Sequence, residues 1–198
     1  MATEPFFTGN TFLERFEIIK PLGMGLLGAV YRARDLTDSN DKDGTVALKV
    51  LRPGEDAVAI KNEAGILQRL REVEDKLNDG FHAAPEYKIG SADDTQPYIA
   101  LEFMRGKQVI TLLRENEKGE VNAEGKLAEP VSLNIARQLF RLLRILHEKL
   151  DKTYIDLKFE NLWWDGEMLK VTDWNVLEDK TDEGIKRDLF RGSLYLYR

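Results

Sequence analysis

Two apolar runs, residues 16–22 and 29–34, flank the segment Gly23-Met-Gly-Leu-Leu-Gly-Ala-Val30. Both runs read as strands, so three glycines fall in a hairpin tip and not between a strand and a helix. That argues against the dinucleotide-binding fingerprint, whose glycines must open a helix. It points to a flap whose exposed backbone N–H groups can lie over phosphates. Directly downstream, Val46-Ala-Leu-Lys-Val50 sets a cation inside a third apolar strand. A lysine so placed needs an anionic partner. The next segment, 55–77, carries Val58, Ile60, Ala64, Ile66, Leu67, Leu70 and Val73 at helical spacing. Glu63 on that helix is the expected partner of Lys49, with Glu55, Glu72 and Glu74 less well placed.

A second constellation lies near the other end. Tyr154-Ile-Asp-Leu-Lys-Phe-Glu-Asn161 is followed by Lys170-Val-Thr-Asp-Trp-Asn175. The first places Asp156, Lys158 and Asn161 together, and the second ends a short apolar stretch at Asp173. Asp and Asn are also common turn residues, yet this spacing matches what phosphoryl transfer requires. One carboxylate orients a hydroxyl, a lysine offsets charge, and an amide and a second carboxylate hold a metal.

Taken in order, these segments resemble the eukaryotic-type Ser/Thr protein kinase family over about 16–198. The resemblance implies an α+β, bilobal fold. Its N-lobe would hold a five-stranded antiparallel sheet plus one helix, and its mostly helical C-lobe would be incomplete. It divides the chain into a lead-in (1–15), an N-lobe (16–104) and a C-lobe (105–198). It implies ATP and Mg2+ as cofactors. Lys49, paired with Glu63, would hold the α/β phosphates under Gly23, Gly25 and Gly28. Asp156 would orient the acceptor, with Lys158 beside it, and Asn161 and Asp173 would hold the metal. Val30, Ala47, Leu101, Glu102, Met104 and Trp163 would form the adenine pocket, where Trp163 either stacks or narrows the space.

The departures from the family pattern carry expectations of their own. Tyr154 and Ile155 stand where the family usually has His and Arg, so phosphorylation of the following loop is not expected to act as a switch. Trp174 and Asn175 replace Phe and Gly, which predicts a segment held in one state. No A-P-E motif is present. Only 174–186 lies between Asp173 and the part of the last helix, read at 182–197, that carries Asp188, which resembles the buried Asp that opens the helix under the catalytic loop. The apolar Leu194, Tyr195, Leu196 and Tyr197 would need cover from a partner or a missing chain segment. Two further readings stay open: a small-molecule kinase similar to aminoglycoside and choline kinases, and a nucleotide-binding pseudokinase or scaffold.

The rest of the chain is read from pattern. Strands are expected at 85–90 and 97–103, and a loop at 114–129. A helix is expected at 132–150, with Ser132 as N-cap and a stripe of Leu133, Ala136, Leu139, Phe140, Leu143, Leu146 and Leu150 facing the core. A hairpin should turn at Asp165-Gly166. The chain has 198 residues, is 42% hydrophobic and carries a net charge of −6, which gives no basic footprint for nucleic acid. It has no cysteine and two histidines, so no Cys-based metal site exists. No run is long enough to span a membrane and no signal peptide is visible. A cytoplasmic protein is therefore expected, and the kinase resemblance implies a protein Ser or Thr as the acceptor.

Overall fold

A computed structural model describes residues 11–25, 28–37, 44–91, 96–115, 122, 125–174 and 177–194. The elements in chain order are β1 (Thr11–Phe12), β2 (Phe16–Met24), β3 (Gly28–Asp35), β4 (Thr45–Leu51), α1 (Val58–Leu77), β5 (Tyr87–Ser91), β6 (Tyr98–Glu102), β7 (Lys107–Gln108), α2 (Val109–Arg114), α3 (Glu129–Lys149), β8 (Lys152–Tyr154), β9 (Leu162–Trp164), β10 (Leu169–Val171), β11 (Leu177–Asp179) and α4 (Asp182–Leu194). A single 3-10 turn covers Phe159–Asn161. The chain divides into two compact units, Met1–Gly65 with Glu86–Phe103, and Ile66–Pro85 with Met104–Arg198.

The first unit is one antiparallel sheet in the order β1-β2-β3-β4-β6-β5. It has six strands and not five. The extra strand, Thr11–Phe12, lies inside what sequence pattern reads as a lead-in. A two-residue strand leaves no periodic signal; burial holds it in place. Phe12 is 3% exposed, and its ring lies 5.3 Å from that of Tyr98 on β6. Phe16 on β2 lies 5.6 Å from the same ring. β2 and β6 are three strand positions apart, about 14 Å in a flat sheet. Their side chains can meet only because the sheet curls. Ala29, Tyr31, Ala33, Val46, Leu48, Val50 and Ala100 fill the interior of that curl, in the alternation that a strand's period of two dictates.

In the second unit, α3 packs against α4, β8 and β10. Ile135, Leu139, Leu142, Leu143 and Leu146 are all buried. Each contributes roughly 1.5–3 kcal/mol by leaving water. Gly192 lets α4 approach closely, since a Cβ there would lie 3.2 Å from the Phe140 ring. The helix starts three residues earlier than read, at Glu129, with Ala128 at the N-cap and Pro130 in the first turn. Proline suits that place because its missing N–H is one that no helix carbonyl would receive. Ser132 is therefore inside the helix. Leu133 is 55% exposed and does not belong to the core stripe. Val58 at the start of α1 is likewise exposed. At the other end of α3, Lys180 Nζ donates to the His147 carbonyl at 2.9 Å, satisfying a terminal acceptor. The 165–166 turn forms as expected, with Gly166 at φ 111° and Asp165 Oδ1 accepting from the N–H groups of Glu167 and Met168. The short pieces β7, α2, β8 and β11 carry no sequence signal long enough to read. Tyr195, Leu196 and Tyr197 lie outside the described residues, as does Asn175. No described helix is long and apolar enough to cross a membrane.

Glu74, in the second half of α1, is 1% exposed. Its Oε1 accepts the Ala83 N–H at 2.8 Å, and the Ala83 carbonyl accepts from Val171 N at 2.7 Å. One carboxyl group thus ties the end of α1 to the loop that β10 grips. Burial pushes its pKa up to about 7 from 4.5, against the opposing pull of the Ala83 N–H and of Arg71 and Lys170. The folded chain keeps this proton where the unfolded chain loses it. The stability this group contributes is therefore full below about pH 4.5 and is lost as pH rises through 7. Urea unfolding of wild type and Glu74→Gln should diverge across that window. The difference in unfolding free energy, wild type minus variant, should fall by on the order of 3 kcal/mol between pH 4.5 and 7.5. Parallel pH profiles would show that Glu74 is ionised in the fold.

Candidate active site

The sheet register gathers the first group of residues. Val30 on β3 lies opposite Lys49 on β4, and Ala47 lies opposite Leu101 on β6. Lys49 and Ala47 are two apart on one strand. All four side chains therefore share the face opposite the aromatic core. Lys49 Nζ donates to Glu63 Oε2 at 2.7 Å, with the lysine side chain 22% exposed and the glutamate 3%. A carboxylate so buried requires a cation, and the helix brings it to the middle strand of the face. Glu102 ends β6 opposite Val46, accepts the Glu86 N–H on its side chain at 3.0 Å and gives its own N–H to the Glu86 carbonyl at 2.8 Å. Leu101 is half-buried, as is Met104 in the second unit.

The three glycines of the β2–β3 hairpin do not share one cause. A Cβ at Gly28 would sit 2.3 Å from the Val50 carbonyl oxygen, on the neighbouring strand. Among the described residues beyond its two chain neighbours, Gly23 has no heavy atom within 4 Å of such a Cβ, and Gly25 has the Gly28 oxygen at 3.9 Å. Packing demands the third glycine and says nothing for the first two. The Gly25 N–H closes the hairpin on the Gly28 carbonyl at 2.8 Å. Leu26 and Leu27 lie outside the described residues.

The second group lies wholly in the other unit. β8 ends at Tyr154, and a turn carries Asp156. Lys158 Nζ hydrogen-bonds Asp156 Oδ2. Asn161 Nδ2 donates to the Asp156 carbonyl at 2.9 Å and contacts Oδ2 at 3.4 Å. The bond to Asp156 raises the Lys158 pKa, and the nearby charges of Asp156, Asp173 and Glu160 add to it. The ammonium is therefore held protonated next to two carboxylates. The 3-10 turn at 159–161 opens with the Asn161 N–H on the Lys158 carbonyl at 3.0 Å. Thr172 N then donates to the Asn161 carbonyl at 2.9 Å, which brings Asp173 alongside. Trp163 on β9 is half-buried, opposite Gln108 and Lys170.

Asp173 has φ 70°, a left-handed backbone that Asp tolerates better than most residues. Two neighbours hold it there. The Tyr154 hydroxyl donates to the Thr172 carbonyl and lies 3.3 Å from that of Asp173. The Trp174 indole N–H donates to the Val171 carbonyl at 2.7 Å, and its ring meets Tyr154 edge-on at 5.6 Å. Sequence reading marked Tyr154 and Trp174 only as departures and missed this contact; their shared aromatic, donor-bearing character was the available signal. It also missed His147, whose Nε2 lies 2.8 Å from Asp188 Oδ2. Asp188 is fully buried and accepts the Tyr154 N–H at 3.0 Å. It does not open its helix, since α4 begins six residues earlier at Asp182. Arg191 of α4 donates to the Ile155 carbonyl.

A divalent cation fits this chemistry. With Nδ2 committed to Asp156, the amide oxygen of the buried Asn161 is the atom left to face a ligand. It and the Asp173 carboxylate are hard oxygen donors. Among the described residues no group of three or more His, Cys, Asp or Glu is arranged as a metal site. Further ligands would have to come from phosphates and water, which is usual for magnesium.

The protein kinase domain profile matches residues 16–195. The chain belongs to the protein kinase domain family. It is 30% identical over 186 residues to ribosomal protein S6 kinase alpha-2 of Mus musculus, covering 91% of this chain and 23% of that protein. It is 28% identical over 187 residues to CBL-interacting serine/threonine-protein kinase 13 of Arabidopsis thaliana, covering 89% and 32% respectively. The chain thus spans about a quarter to a third of the length of these relatives. A crystal structure of a kinase domain superposes with a TM-score of 0.67 at 19% identity, covering 90% of this chain and 56% of that one, which establishes the likeness of fold.

The contrast among the glycines is measurable. Gly28→Ala should lower the thermal midpoint and cost about 2 kcal/mol, because the group it meets is backbone that cannot swing aside. Gly23→Ala and Gly25→Ala should stay within about 0.5 kcal/mol of wild type by circular-dichroism melting. Equal losses at all three positions would refute the distinction.

Proposed function

We propose that this protein kinase domain is an ATP- and magnesium-dependent phosphotransferase whose acceptor is a serine or threonine hydroxyl of a protein. The observation that carries this reading is the hydrogen-bonded cluster of Asp156, Lys158 and Asn161, with Asp173 fixed beside it. Asp156 orients the acceptor hydroxyl and receives its proton as the oxygen attacks the γ-phosphorus. The bond from phosphorus to the bridging oxygen breaks and ADP leaves. Lys158, kept protonated, offsets charge on the moving phosphoryl group. Asn161 and Asp173 hold magnesium, which neutralises the phosphates. Lys49, fixed by Glu63, binds the α/β phosphates, and Gly23 and Gly25 leave the hairpin backbone open for close approach. Val30, Ala47, Leu101, Glu102, Met104 and Trp163 serve the adenine. The Ser/Thr assignment rests on the names of the relatives and on Lys158, the residue protein kinases carry at this place.

A second reading has an observation of its own. Only residues 174–181 separate Asp173 from α4, a short stretch for a peptide-docking segment. This favours a small hydroxyl-bearing acceptor of the aminoglycoside or choline type.

Both readings are tested by transfer from γ-labelled ATP with magnesium to generic protein acceptors, to the chain itself and to aminoglycoside or choline acceptors. Label on protein that falls by about 10³-fold in Asp156→Asn supports the first reading. Label on the small acceptors alone supports the second. Tyr154→Phe should bind MgATP as wild type does but lower kcat by roughly tenfold, because the Asp173 backbone loses its clamp. Nucleotide binding with no transfer to any acceptor would overturn both readings in favour of a pseudokinase.

A further inference from the structure

The second unit contains a cavity of about 780 Å³ formed by the loop Asp79-Gly80-Phe81, the exposed edge of α3 and Met168 of the β9–β10 turn. It contains none of the residues assigned to phosphate transfer. Its long wall carries Arg137, Arg141 and Arg144, at successive turns of one helix face. In a chain of net charge −6, a stripe of three guanidinium groups facing a cavity with Asp79 as its single acid is a local reversal of sign. Arg141 is already positioned, paired with Asp79 and lying 4.6 Å over the Phe81 ring. Arg137 and Arg144 are exposed. Arg137 contacts only the neutral side chain of Asn134, at 3.3 Å, and neither forms an ion pair among the described residues. The floor is rigid. Gln138 donates to the Glu167 carbonyl at 2.7 Å and accepts the Leu169 N–H at 2.8 Å, locking α3 to the hairpin. Phe81, Phe140 and Met168 supply apolar surface between the charges.

We propose that this cavity is a docking site for an extended acidic segment of a partner protein, with carboxylates interleaved with apolar side chains. The spacing selects the ligand. Arg137 and Arg144 are seven residues apart, about 10.5 Å along the helix axis. A single phosphate is too small to meet both. Carboxylates at alternate positions of an extended peptide recur about every 6.7 Å and span the stripe, while the intervening side chains reach the apolar walls. Arginine forks bind carboxylates in pairs of hydrogen bonds, and the contribution should weaken with salt. The site is independent of the phosphotransfer reading, since its test reads peptide binding and not transfer.

The test is fluorescence polarisation of the whole chain with a fluorescein-labelled peptide containing Asp-Leu-Asp-Phe-Asp, and with its counterpart carrying Asn for each Asp. Saturable binding of the acidic peptide is expected. It should weaken about tenfold in Arg137→Glu/Arg144→Glu and in the milder Arg137→Gln/Arg144→Gln, whose melting should match wild type because both side chains are exposed. MgATP binding should be unchanged in both double variants. The proposal is overturned if the wild type shows no saturable binding, if the Asn peptide binds as tightly, or if either well-folded double variant binds like wild type. Full displacement by millimolar inorganic phosphate would also overturn it, leaving a simple anion site.

Discussion

The carboxylate of Asp188 has no exposed surface, yet the candidate catalytic loop hangs from it. One oxygen, Oδ2, accepts the backbone N–H of Tyr154 and lies within hydrogen-bond distance of His147 on α3. The end of α3 and the following strand β8 therefore both meet a single atom of α4, a helix that begins about thirty residues further along the chain. Burying a carboxylate costs several kcal/mol unless it is bonded, and removing its partners would leave that cost uncompensated. The bonds therefore fix position. β8 cannot shift without stranding a buried charge, and Asp156 lies two residues beyond its anchored end. Arg191, one turn further along α4, takes the next carbonyl at Ile155. The helix thus holds consecutive residues of the loop, one by an acceptor and one by a donor. Gly184 makes the approach possible, because a Cβ there would lie 2.8 Å from the Thr153 hydroxyl.

From that anchor the geometry passes to Asp173 through a pair of aromatic residues. Tyr154 and Trp174 each depart from the family pattern, and they touch each other. Tyr154 turns its hydroxyl to the carbonyls that flank the Thr172–Asp173 peptide, and Trp174 turns its indole N–H back to Val171. Both side chains are essentially unexposed, so each polar tip must be bonded where it lies. The two replacements act as one device, a large tyrosine that reaches the backbone and a large tryptophan that packs against it. A left-handed residue held at its own carbonyl and by both neighbours resists the rotation that a flanking glycine would permit.

Sequence pattern was most informative where a period does the work. The period of two on β3, β4 and β6 places Val30, Ala47, Lys49 and Leu101 on one face, and the helical period of α1 brings Glu63 to the lysine. These relations need no tertiary knowledge beyond strand adjacency. Pattern was least informative where long-range burial decides. Phe12 joins the sheet because Tyr98 and Phe16 are there to meet it, a contact across many residues that no local rule contains. The start of α3 was misplaced because Ser132 is a good cap by type, whereas Pro130 only fits if the helix is already under way. Leu133 fits the apolar stripe by spacing but faces outward, since the true core face is centred on Ile135, Leu139, Leu142 and Leu146. His147 and Asp188 stand forty-one residues apart; only the packing of α3 on α4 reveals them as a pair.

The glycine hairpin shows why one motif can carry two kinds of information. Gly28 answers to the fold, because β3 and β4 run so close there that a methyl group would enter the Val50 carbonyl. Among the described residues, neither a positive φ nor a crowded neighbour requires Gly23 and Gly25. Glycine is otherwise disfavoured in a strand, where it loses conformational entropy without packing in return. Gly23 lies within β2 and Gly25 just beyond its end, and with open surroundings among the described residues they suit close passage of a ligand over the backbone. Motif matching alone gives all three glycines equal weight. Sterics separate the one that builds the hairpin from the two with open surroundings, and it is the latter that the proposed nucleotide site draws on.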